Sequence, residues 1–122
     1  MEFKEEDLFV PLKSAKKLKE KDFYVPCMKG VKDGHVLTAC GFSITNHSNM
    51  HDYALPLYQQ VVDWFLETHD LDIQTHYNSD LTKKHQFQIH HKGSFCVVDS
   101  AEEFDTKIEM YNKAIGEALK LI

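Results

Sequence analysis

Cysteine is scarce in this chain, and so are apolar runs. Only three cysteines occur among 122 residues: Cys27, Cys40 and Cys96, with no C-x-x-C pair. An odd count without paired spacing argues against a disulfide framework and against a structural zinc knuckle. Each thiol is therefore expected as a small buried hydrophobe. No stretch approaches the ~20 apolar residues that a membrane span requires. The N-terminal MEFKEEDLFVPLK is acidic and lacks the basic-then-apolar layout of a secretory signal, which points to a cytoplasmic protein. On that footing the Asn46-His47-Ser48 sequon carries no meaning. Net charge is −5, and only KSAKKLKEK (13–21) is basic, as a solvated helix face. Nucleic-acid backbone binding favours a basic surface and is not expected. Internal repeats and low-complexity tracts are absent.

Catalytic motifs are missing as well. There is no Gly-x-Ser-x-Gly elbow, no phosphate-cradling glycine loop and no His-Glu-x-x-His helix. Neither His76-Tyr77-Asn78 nor His47-Ser48-Asn49 supplies the His-x-Thr or His-x-Ser pair of a two-histidine phosphoesterase. No catalytic residue, cofactor or resident metal is assigned, and the balance leans away from an enzyme.

What is present supports a single α+β domain over residues 1–122, a usual domain size. Hydrophobic residues make up 43% and aromatics 11% of the chain, enough for a core. Pro11 suits a helix start, and Leu12, Ala15 and Leu18 fall on one side of a helix ending near Lys21. The run Leu8-Phe9-Val10 before it can pair as a strand. Residues 28–46 read as a hairpin turning at Asp33-Gly34, with Gly41 marking a bulge or bend. The segment NHSNMHDYAL (46–55) has no regular period and reads as loop. A helix from Pro56 to His69 carries Leu57, Val61, Trp64, Phe65 and Thr68 as its buried stripe. LDIQTHYN and HQFQIHH alternate as strands, and GSFCVV (93–98) extends the meander. The final helix opens on a Ser100/Glu103 capping box and carries Phe104, Ile108, Tyr111, Ile115, Ala118 and Ile122 as a seam. The expected fold is a small antiparallel sheet of three to five strands with two to three helices packed on one face.

Histidine is the residue type that invites a functional assignment. KKHQFQIHHKGSF (83–95) holds His85, His90 and His91, yet adjacent His90 and His91 point to opposite faces of a strand and cannot readily chelate one ion. Alternation turns Phe87 and Ile89 inward and Gln86, Gln88 and His90 outward. His90 with Gln88 is then a candidate ligand contact, and His76 on the preceding strand is its candidate cross-strand neighbour. A second group surrounds the Pro56 helix start: His47, His51, Tyr53 and Tyr58. Free N–H groups at that helix N-terminus can accept an anion, and the tyrosines are placed to stack on a nucleotide-like ligand.

Four blocks, SAKKLKEKDFYVPC (14–27), PLYQQVVDWFLETHDLDI (56–73), FQI (87–89) and YNKAIGEALKLI (111–122), follow one another in a familiar order. The chain resembles a family of small, mostly uncharacterised proteins encoded by anaerobic gut bacteria, their prophages and their phages. The residues carrying the resemblance are Leu18, Lys19, Glu20, Lys21, Phe23, Pro26 and Cys27, then Pro56, Trp64, Glu67 and His69, then Glu117 to Ile122. Asp22 stands where that family usually has Gly. The resemblance implies a fold and a mobile-element setting in a bacterial host, and no catalytic residues.

Together these features suggest a phage-encoded, non-enzymatic protein that binds a small ligand, a nucleotide-type signal of bacterial immunity, and so counters host defence. A homo-oligomer is expected, completing a pocket from so small a chain. The alternatives are inhibition of a host protein by direct contact and, third, a metal-assisted hydrolase. The ligand-contact candidates are His47, His51, Tyr53, Tyr58, His76, Gln88 and His90.

Overall fold

The computed structural model describes residues 8–47, 50–78, 83–91, 96–99 and 102–122. Its elements run α1 (Leu12–Glu20), β1 (Lys29–Lys32), β2 (His35–Thr38), β3 (Tyr53–Leu55), α2 (Tyr58–His69), β4 (Leu71–Asn78), β5 (Lys84–His91), β6 (Cys96–Asp99) and α3 (Lys107–Leu119). The fold is α+β, and its strands form two antiparallel three-stranded sheets, ordered β2-β1-β3 and β4-β5-β6. Backbone proximity divides the chain inside α2 into two compact units, Met1–Val61 and Val62–Ile122.

In the first unit, α1 buries Ala15 and Leu18 completely, whereas Leu12 stays 41% exposed. Pro11 sits at the N-cap, one position before the first helical residue. The helix ends in a Schellman motif: Phe23 N–H donates to Leu18 O and Asp22 N–H to Lys19 O, with Asp22 at φ 63°. Asp22 thus adopts the left-handed backbone that a glycine would take without strain. Phe23 and Leu18 are both fully buried, the apolar pair that accompanies this cap.

The Asp33-Gly34 turn forms as expected, with φ of 51° and 80°, the signature of a type I′ hairpin between β1 and β2. Beyond it the expected long strand breaks. β2 stops at Thr38, the chain bends at Gly41 (φ 77°), and only Ile44 returns, in an isolated bridge with Cys27. Ile44 crosses so close to β1 that a Cβ on Gly30 would lie 2.8 Å from its Cγ2, which accounts for glycine there. The segment expected as loop contains β3, paired with β1 through Lys29↔Leu55, Gly30↔Ala54 and Val31↔Tyr53. A buried asparagine ties it down: Asn46 Nδ2 donates to Phe23 O at 2.6 Å, and its Oδ1 accepts from Ala54 N–H at 2.7 Å. Phe9 makes a bridge to Leu57 rather than a strand.

In the second unit, Trp64 and Phe65 are buried, whereas Thr68 is exposed and lies outside the stripe assigned to it. Asp70, at φ 56°, turns the end of α2 directly into β4. β4 and β5 pair along their whole length, from Leu71↔His91 to Asn78↔Lys84. β6 joins β5 with a register shift between Ile89 and His90. The last helix starts later than its sequence suggests. Thr106 is the N-cap, with Oγ1 accepting from Glu109 N–H at 3.1 Å, while Ser100 lies outside the described residues. Phe104 is extended, exchanging two backbone hydrogen bonds of 2.8 Å with His85, so it is not the first residue of the seam. α3 packs on β5, burying Met110, Ala114, Ile115, Ala118 and Leu119.

Candidate functional site

Alternation and register together build a polar face on β4 and β5. Asp72, Gln74, His76 and Asn78 stand opposite His90, Gln88, Gln86 and Lys84, and Gln88 stands opposite Asp99 of β6. The result is two neighbouring cross-strand rows, Gln74–Gln88–Asp99 and His76–Gln86. They border a cavity of about 350 Å³ lined by Gln74, Thr75, His76, Gln86, Phe87, Gln88 and Asp99. Neighbouring strands lie about 4.8 Å apart, so adjacent side chains in a row can engage one ring-sized ligand.

Each carboxamide offers two N–H donors and a carbonyl acceptor, and the imidazole of His76 offers one of each when neutral. Among the described residues, the cavity lining has one carboxylate, Asp99, and no cation. Lys84 lies on the same face by alternation, but its ammonium is 2.6 Å from Asp105 Oδ1. That pairing holds the Asp105 carboxyl below the usual carboxylate range and raises Lys84. The chain contains no arginine, so a bidentate guanidinium grip on phosphate is ruled out. This face suits an uncharged ring bearing mixed donors and acceptors.

The expected neighbour of His76 is not His90. His76 is opposite Gln86, and His90 is opposite Asp72, four residues away along β4, or roughly 13 Å at strand rise. His90 instead hydrogen-bonds Gln88 on its own strand, Nε2 to Oε1 at 3.0 Å, while Gln74 Nε2 donates to Asp72 Oδ2 at 2.9 Å. His76 and Gln88 line the cavity, and His90 holds the Gln88 carboxamide from behind. Gln74, Gln86 and Asp99 also line it, though sequence reasoning did not choose them. The outward phase of both glutamines was readable; the pairing register was not.

The other four candidates belong to the first unit, where they do not form one site. His47 is exposed and stacks on Tyr24, with ring centroids 3.7 Å apart and planes at 21°. The Tyr24 hydroxyl donates to Asp22 Oδ1 at 3.0 Å, which raises its pKa. His51 is half-buried, and its Nδ1 is buried without a hydrogen-bond partner. Tyr58 is only 8% exposed, so its ring belongs to the core and is not free to stack on a ligand. At the same helix start, Leu57 N–H is taken by the Gln60 side chain at 2.9 Å, half of a capping box, which removes one donor from the expected anion site.

Tyr53 does line a cleft of about 430 Å³, together with Lys16, Lys19, Glu20, Val31, Gly34 and Asp52. Its two lysines are matched in number by Glu20 and Asp52. Lys19 also donates to the backbone Asp52 O, and Asp52 Oδ2 accepts from the backbone N–H of Asp33 at 2.9 Å.

Two of the three thiols depart from expectation. Cys27 is buried, and that burial pushes its pKa up to about 12. Cys40 and Cys96 are exposed, so the apolar neighbours that suggested burial did not decide it. Among the described residues, no group of three or more His, Cys, Asp or Glu side chains is placed to hold one metal ion, and no helix is long and apolar enough to cross a membrane. Compared with known families, curated proteins and solved structures, the chain gives no match.

Proposed function

We propose that the protein is a non-enzymatic binder of a nucleotide-type small ligand, gripped through its base on the polar face of β4, β5 and β6. The observation that carries this is the pair of rows Gln74–Gln88–Asp99 and His76–Gln86 around a single cavity. Carboxamides recognise bases by paired donor and acceptor contacts, and this lining favours a neutral heterocycle over a bare phosphate. The phosphates or ribose would extend beyond the rows into solvent. In the mobile-element setting that the sequence resemblance implies, the ligand is a nucleotide signal of host immunity. Capture in the host cytoplasm would then act against defence.

Isothermal titration against cyclic and ADP-ribose-type nucleotides tests this. One member should bind at micromolar concentration, and Gln88→Ala should weaken it at least about tenfold, since an unpaired polar contact costs on the order of 1–3 kcal/mol. No heat from any member, with correctly folded protein, overturns the assignment.

A second function draws on a different observation. Met28, Val36, Leu37, Phe42 and Met50 of the first unit are between 42% and 71% exposed, apolar side chains available for contact with a host protein. Under that function a stoichiometric partner would be recovered from host lysate without any nucleotide.

A further inference from the structure

We propose that β2 is a self-association edge, pairing antiparallel with β2 of a second copy about a two-fold axis through Leu37. The backbone dictates the geometry. In a hairpin closed by a two-residue turn, the flanking residues Lys32 and His35 exchange both hydrogen bonds, and bonded pairs then alternate with non-bonded ones. Gly30↔Leu37 is therefore bonded, while Val31↔Val36 and Lys29↔Thr38 are not. Two observed bonds fix this phase: Ala39 N–H donates to Met28 O, and Asp52 N–H to Val31 O, both at 2.8 Å. The N–H and C=O groups of Val36 and Thr38 consequently point away from β1, out of the open edge of the sheet β2-β1-β3.

That edge carries none of the devices that keep edge strands apart. His35-Val36-Leu37-Thr38 has no Lys, Glu or Pro, no bulge interrupts its pairing with β1, and all four residues are exposed. Val36 is 47% and Leu37 42% exposed, on opposite faces of the ribbon.

A second copy satisfies this edge in one register. With Val36 opposite Thr38 of the other copy, and the reverse, all the outward groups pair in four hydrogen bonds. Leu37 then meets its own counterpart at the non-bonded site on the axis, where side chains approach most closely. Centring the axis on Val36 instead would set Thr38 against Gly34 in the turn. Centring it on Thr38 would set Val36 against Cys40, beyond the end of the strand. The favoured register also sets His35 opposite Ala39 of the other copy, and β2 carries no Lys, Asp or Glu, so no like charges face each other along it. For a chain of net charge −5, an uncharged edge is where a second copy can approach with least repulsion. The two three-stranded sheets would form one six-stranded sheet. This inference does not rest on the ligand assignment.

Sedimentation of the full chain over a range of concentrations tests it. The wild type should show a monomer–dimer equilibrium. Leu37→Lys should weaken dimerisation by at least about tenfold, because two ammonium groups would meet on the axis. It should leave the circular dichroism spectrum unchanged, since the side chain is exposed. Thr38→Pro, which removes an N–H that β1 does not use, should also give monomer. In a Cys40→Ser, Cys96→Ser background, oxidised Leu37→Cys should form a disulfide dimer, since Cα atoms at a non-bonded pair lie about 4.5 Å apart, within disulfide reach. A wild type that remains monomeric throughout, or a dimer indifferent to both Leu37→Lys and Thr38→Pro, overturns the proposal. So would capture of this edge by an unrelated protein with no self-association.

Discussion

Asn46 shows how one side chain can hold together segments far apart in sequence. Its carboxamide satisfies the carbonyl of Phe23, beyond the end of α1, and the N–H of Ala54, within β3. The residue is 9% exposed, so water cannot easily replace either bond. Asn46→Ala should therefore destabilise the fold by about 2–4 kcal/mol, the cost of leaving two buried backbone groups unpaired, as read by urea denaturation. A loss below about 0.5 kcal/mol, the usual range of surface changes, would mean that β3 holds without this latch. In the sequence Asn46 sat in a segment that looked like loop because of its polarity. Its burial is a property of what surrounds it. Asp22 carries no such ambiguity in the fold: with φ of 63° it fills the left-handed position of a Schellman cap, where Gly is the usual residue.

At the scale of elements, local chemistry performed best where the signal was short-range. Asp33-Gly34 specified its turn because two successive residues must take positive φ, and few sequences tolerate that. The α2 helix ran close to expectation because its apolar spacing and the preceding proline agree. The start of α3 was displaced because two capping signals lie near each other. Ser100/Glu103 fits a capping box, but pairing of Phe104 with His85 keeps residue 104 extended, and Thr106 becomes the cap. Long-range β pairing won over a local helix signal. Thr106→Ala should then cost about 1 kcal/mol, the usual worth of an N-cap, measured by thermal or urea unfolding. If Ser100→Ala caused that loss and Thr106→Ala did not, the helix would begin where its sequence first suggests.

For the whole molecule, stability should fall on both sides of neutral pH, for separate reasons. Asp105 is held below its ordinary pKa by Lys84, and Glu117 by Lys113 and Lys120. Depressed carboxylates stabilise above their unfolded pKa and lose that contribution as pH falls through the folded value. Both sites face solvent, so the acid effect should be small and weaken with salt. On the alkaline side, Cys27 has its pKa raised from 9.0 to about 12 by burial. The unfolded thiol ionises first, so its contribution is complete below pH 9 and is lost as pH rises toward 12. Urea midpoints measured across that window should decline in the wild type and decline less in Cys27→Ala. Equal slopes would assign the alkaline loss to other groups.

The sequence by itself determined the α+β class, the three helices, the first hairpin with its turn, and the outward phase of Gln74, Gln86, Gln88 and His76. Each of these depends on spacing or on backbone preferences within a few residues. Tertiary structure decided the rest: that residues 53–55 form a strand, that Tyr58 enters the core, that Cys40 and Cys96 stay exposed, and that His76 faces Gln86 rather than His90. The physical reason is common to all four. Burial and register depend on which distant segment lies alongside, and a strand shifted by two residues keeps its alternation while changing every partner. The candidate site is such a case. Its residue types were visible in one dimension, but only the pairing of β4, β5 and β6 brings them into the same rows.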